Sequence, residues 1–82
     1  MKKFKLKIVS FSRVTFEGLA TYCSIITPGG KIGFKANHEP FVSVLKDNSV
    51  IEYQIDSGKK ERVEIQNGLF AFDKNECTIT VF

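Results

Sequence analysis

Nucleophilic catalysis needs a base within hydrogen-bond reach of the nucleophile. The chain has one histidine, His38, in the stretch Ala36-Asn37-His38-Glu39-Pro40, with no Cys or Ser beside it. That setting gives no triad. His38 with Glu39 supplies half a metal site at most, because a metal centre draws on three or four ligands. The two cysteines, Cys23 and Cys77, lie in apolar, strand-like surroundings without CxxC spacing and read as two buried thiols. Asp and Glu residues fall mostly at polar strand positions or in loops, the usual placement of solvated charge. Neither a catalytic group nor a metal or other cofactor is expected.

The glycine-rich stretch Pro28-Gly29-Gly30-Lys31-Ile32-Gly33 has three readings. A phosphate-cradling loop needs GxxxxGK[ST] running into a helix, and here the glycines lead into Ile32-Gly33-Phe34. Gly30-Lys31-Ile32-Gly33 matches the GxxG loop of a KH domain literally, but such a loop joins two helices and this one is flanked by strand-like sequence. The remaining reading is a hairpin turn.

The formal charge of +3 invites a nucleic-acid reading until it is apportioned. Of twelve basic residues, Lys2, Lys3, Lys5 and Lys7 fall in the first seven positions, which leaves eight against nine acids over the rest. Such a row reads as a solvated strand face or as protection of a sheet edge. A small basic β module binding single-stranded nucleic acid is the alternative function, and its affinity would fall steeply with salt.

Period-two alternation sets the architecture around these residues. Phe4, Leu6 and Ile8 alternate with lysines, and Ser10 to Arg13 reads as a turn. A short strand over residues 14–17 is expected, then a bend or bulge at Gly18, then a longer strand over 19–27 whose alternation is imperfect. A short segment over 31–35 follows. Residues 41–46, between Pro40 and Asp47-Asn48, suit a buried strand better than a helix. Ile51, Tyr53 and Ile55 form the clearest strand and pair as a hairpin with Val63 and Ile65. Phe70 and Phe72, then Cys77, Ile79 and Val81, complete eight or more strands. With no convincing helix and 82 residues, one all-β domain over 1–82 is expected, a two-sheet β-sandwich of roughly eight to ten short strands. No signal peptide and no apolar run of about 18 to 20 residues is present, so a cytoplasmic protein is expected.

Gly30-Lys31-Ile32-Gly33-Phe34, then Asn37-His38-Glu39-Pro40-Phe41-Val42 and Val44-Leu45-Lys46, resemble in order and spacing the signature of the F-type ATP synthase epsilon subunit. That family typically reads GE(L/I)GI, a short spacer, GHAPL and a run ending ALKPG. Leu6-Lys7-Ile8-Val9-Ser10 and Phe16-Glu17-Gly18 fall where it has its opening strand and an F-x-G turn, so the likeness spans roughly residues 4 to 82. The resemblance implies the family's sandwich domain, a non-catalytic central-stalk component. Its implied partners are the gamma subunit and the c-ring, with no nucleic acid. It implies a place on the inner face of the plasma membrane, with membrane contact only through the complex. Gly30, Lys31, Ile32 and Gly33 would face the c-ring. Ser10 and His38 would lie at or near the stalk interface, with Pro40, Phe41 and Val42 also binding partners. Lys31 stands where the family usually has Glu, Asn37 replaces Gly, Ala36 replaces Pro, and Asp47-Asn48 replaces Pro-Gly. The family's two-helix C-terminal hairpin is expected to be missing beyond Phe82.

Overall fold

The computed structural model describes residues 2–82, and every regular element among them is a strand. In chain order these are β1 (Phe4–Ser10), β2 (Val14–Thr27), β3 (Gly30–Phe34), β4 (Phe41–Leu45), β5 (Ser49–Ile55), β6 (Lys60–Ile65), β7 (Gly68–Asp73) and β8 (Glu76–Val81). They join in one eight-stranded sheet, ordered β4-β7-β8-β1-β2-β5-β6, with β3 beside β2. The sheet curls into a sandwich. One layer is β4-β7-β8-β1 with the first half of β2, and the other is the second half of β2 with β3, β5 and β6. Phe34 of β3 meets Phe70 and Phe72 of β7 across the gap, with ring centroids 4.4 and 5.9 Å apart. The alternating residues Phe4, Leu6, Ile8, Ile51, Tyr53, Phe70, Phe72, Cys77 and Ile79 all lie in this core.

β2 corrects the sequence reading. The two strands expected on either side of Gly18 are one strand of 14 residues, and Gly18 pairs in register with Leu6. One irregularity falls between Ala20 and Tyr22, where the register with β5 shifts, and another lies opposite Ile8 and Val9, where the register with β1 passes over Thr15. The extra residue, Thr21, changes which parity faces inward. Ala20 is buried on the even phase, whereas Cys23, Ile25 and Thr27 are buried on the odd phase. A one-residue bulge therefore explains the imperfect alternation, and it bends β2 from one layer into the other.

The lysine row also sits elsewhere than an edge. β1 lies inside the sheet between β2 and β8, and it pairs with β8 in parallel. Lys5 and Lys7 belong to a solvated face, while Lys3 pairs with Asp56 at 2.8 Å.

Candidate functional site

The register brings outward-facing residues of five strands into line. Val44 pairs with Leu69, Leu69 with Thr80, Thr80 with Val9 and Val9 with Val14. This row crosses four inter-strand spacings, about 19 Å. It holds no charged group. The next row runs Val42, Ala71, Thr78, Lys7, Glu17, and the one after it Asp73, Glu76, Lys5, Leu19. The face thus grades from apolar to charged along the strands. Val42 is 78% exposed, and Val14, Val44 and Leu69 are each about half exposed. Phe82, its N–H bound to the Asn67 carbonyl, extends the apolar end. A contiguous apolar patch rimmed by charge is the mark of a protein-binding surface.

Ser10 lies at this apolar end, opposite Val81, and its amide donates to the Arg13 carbonyl at 2.8 Å, closing the β1–β2 turn. Phe11 projects from that turn almost fully exposed. Val81 pairs with Gly68 and Gly68 with Leu45, and the Lys46 N–H donates to the Ile26 carbonyl at 2.8 Å. That chain of neighbours leads from Ser10 along one end of the sandwich to the β2–β3 hairpin. There the Thr27 hydroxyl accepts from the Gly29 N–H at 3.1 Å and donates to the Gly30 carbonyl at 3.0 Å. Gly30 has φ 130°, a backbone that side-chain-bearing residues rarely adopt.

Gly30, Lys31, Ile32 and Gly33 are all strand residues of β3, and the turn proper is Pro28-Gly29. Strands on both sides remove the two helices a KH loop would join. The Lys31 ammonium donates to Glu52 Oε1 at 3.3 Å, so its charge is compensated within the domain. Gly33 leaves room for the Tyr22 ring, whose hydroxyl a β-carbon there would strike.

His38 is not brought to Ser10. It packs at the opposite end of β7, 4.6 Å from Phe34 and 5.7 Å from Phe72 between ring centroids, with Nδ1 2.7 Å from the Glu39 carbonyl. Its loop is held by Asn75: the Asn37 N–H donates to Asn75 Oδ1, and Asn75 Nδ2 donates to the Lys3 carbonyl, each at 2.8 Å. Pro40 is exposed just before β4. Phe41 points inward against Phe34, 5.4 Å between centroids, and Val42 points outward. Of the residues singled out from sequence, Val42 lies on the apolar face and Ser10 at its margin, whereas His38 and Phe41 pack on the core. Val9, Val14, Val44, Leu69 and Thr80 were missed. The available signal was Leu69-Phe70-Ala71-Phe72, apolar on both phases of one strand.

Among the described residues no three His, Cys, Asp or Glu side chains gather as a metal site. Cys23 and Cys77 are free and buried, and they touch. The hydrogen bond to Cys23, then burial, pushes the Cys77 thiol far above its ordinary range. Burial, then the Glu61 carboxylate, raises Tyr53.

Residues 3–81 match the family model of the ATP synthase delta/epsilon chain β-sandwich domain. The chain belongs to that family. It is 30% identical over 79 residues to the ATP synthase epsilon chain of Corynebacterium aurimucosum, covering 96% of this chain and 65% of the relative. For the epsilon chain of Clostridium novyi the identity is 31% over 78 residues, covering 95% and 59%. The chain thus spans under two thirds of the length of these relatives. In a mitochondrial ATP synthase of Euglena gracilis one chain superposes with TM-score 0.89 at 21% identity, covering 96% of this chain and 50% of that one. A chain of the Tetrahymena thermophila mitochondrial synthase, from its central stalk and c-ring structure, gives 0.80 at 15%, covering 99% and 64%. At those identities the likeness is one of fold, and it agrees with the sandwich read from alternation.

Proposed function

We propose that this chain is a non-catalytic rotor component of an F-type ATP synthase, docking a gamma subunit and the c-ring and helping to couple proton flow to ATP synthesis. The observation that carries the reading is the uncharged row Val44, Leu69, Thr80, Val9, Val14 on an otherwise polar sheet face, within a family of synthase sandwich domains. A gamma-type partner covers this row and the adjoining Val42, with Ser10 at the margin. Gly30 to Gly33 run along β3 from the Pro28-Gly29 tip of the sandwich and meet the c-ring, where the Lys31–Glu52 pair presents a balanced charge rather than a bare cation. His38, Pro40 and Phe41 act by holding the base of β4. Membrane association at the cytoplasmic face then comes through the assembled complex.

Titration with the matching gamma subunit tests the proposal. Val44→Glu with Leu69→Glu places two carboxylates in the buried centre of the interface, and binding should weaken by more than about 100-fold, since an unpaired buried charge costs several kcal/mol. Both side chains are half exposed in the free domain, so its melting temperature should change little. Unchanged binding by the double variant would overturn the assignment of this face.

A further inference from the structure

The two outer faces of the sandwich differ in charge. On the layer opposite the apolar row, Tyr22 of β2 stands beside its pairing partner Gln54 of β5, and a shallow depression lies on each side of them. One, of about 310 Å³, is bordered by Lys31, Lys60 and Arg62 together with Glu52 and Glu61, and the other, of about 440 Å³, by Lys2 and Lys35. Lys31 is engaged by Glu52, and Lys59 by Glu61 at 4.0 Å. Among the described residues, Lys2, Lys35, Lys60 and Arg62 form no ion pair. Glu64, two residues along β6 from Arg62, is the acid nearest in sequence on the same side of that strand, and it forms no ion pair either. The centre of this face is polar, formed by Tyr22, Ser24, Glu52 and Gln54.

We propose that this face is an electrostatic docking surface for an anionic phospholipid membrane, a direct contact additional to the association that the assembled complex provides and independent of the gamma-docking face on the other layer. Four cations without an ion pair, set against Glu64 as the one acid of this face without one and with Glu52 opposite Arg62 already held by Lys31, leave the face net positive, and their number matches the four to eight basic groups with which proteins engage anionic headgroups. A protein partner would be met by an apolar centre, which the opposite layer has and this one lacks. Single-stranded nucleic acid would use several stacking rings, and Tyr22 is the one aromatic ring standing between the depressions.

Sedimentation of the purified chain with vesicles of mixed phosphatidylglycerol and phosphatidylcholine, against phosphatidylcholine alone, tests this. Binding should require the anionic lipid and fall as salt is raised. Lys35→Glu, Lys60→Glu and Arg62→Glu together should lower partitioning by at least about 100-fold. Lys5→Glu, Lys46→Glu and Lys74→Glu change the net charge equally and should leave most of it. All six side chains are exposed, and circular dichroism checks that both variants fold. Equal loss in the two triple variants would reduce the effect to net charge and overturn the proposal. So would absence of binding to anionic vesicles at low salt, or tighter binding of a single-stranded oligonucleotide at the same salt. The gamma titration reads the other layer, so either proposal can fail without the other.

Discussion

At Gly30 the backbone φ of 130° and the two hydrogen bonds of Thr27 fix the end of the β2–β3 hairpin, while its neighbour Gly29 carries no such constraint. A β-carbon at Gly30 meets open space, so the cost of replacing it is conformational rather than steric. Gly30→Ala should lose about 1–3 kcal/mol of stability. Gly29→Ala, whose new carbon meets only the Thr27 hydroxyl at 3.7 Å, should be close to neutral. Urea denaturation of the two variants measures the difference, and equal losses would place the constraint elsewhere in the turn. The same pair of residues shows what spacing could and could not tell. GxxG was visible as a pattern, but its first glycine answers a torsion and its last makes room for a ring, neither of which a spacing rule distinguishes.

Elements are tied together by Asn75, an unremarkable turn residue in the sequence. Lys74 and Asn75 both have positive φ, 49° and 61°, the two-residue turn that matches the twist of an antiparallel hairpin. From there Asn75 reaches the start of β1 through Lys3 and the β3–β4 loop through Asn37. Asn75→Ala should lose about 2 kcal/mol, combining two hydrogen bonds with a left-handed backbone that Ala resists, and Asn75→Gly about 1 kcal/mol, keeping the backbone and losing the bonds. Amide exchange at Asn37 and His38 should quicken in both variants, and an unaltered loop would show that Asn75 serves its own turn alone. Strand content was legible because alternation reports which face a residue occupies. Strand partners were not, because alternation is silent about neighbours: nothing in Phe4-Lys5-Leu6-Lys7-Ile8 distinguishes an edge from a strand held between β2 and β8. The bulge at Thr21 was hidden for a related reason, since a shift of parity within a long β-branched run looks like a strand covered on both sides.

Across the whole molecule, the apolar row exists only once five strands are in register, so no local pattern could have assembled it, whereas the core could be read from Phe4, Phe70 and Phe72 individually. The buried thiol pair belongs to this scale too, because Cys23 and Cys77 come from different layers and join them at the centre. Its consequence is a pH-dependent stability. In the folded state the Cys77 proton is held by the hydrogen bond to Cys23 and by burial, while in the unfolded chain the thiol ionises at its ordinary pKa of about 8.5. Above that pH the unfolded state binds fewer protons than the folded one, so stability is fully present at lower pH and declines as pH rises, by up to about 1.4 kcal/mol per pH unit for this group. Tyr53, raised chiefly by burial, adds to the decline above about pH 10. Urea midpoints measured across the alkaline range should fall steadily in the parent chain. Cys77→Ala, less stable at neutral pH because it leaves a small cavity, should show a shallower decline. If both slopes are the same, the alkaline sensitivity arises outside the contact between the two layers.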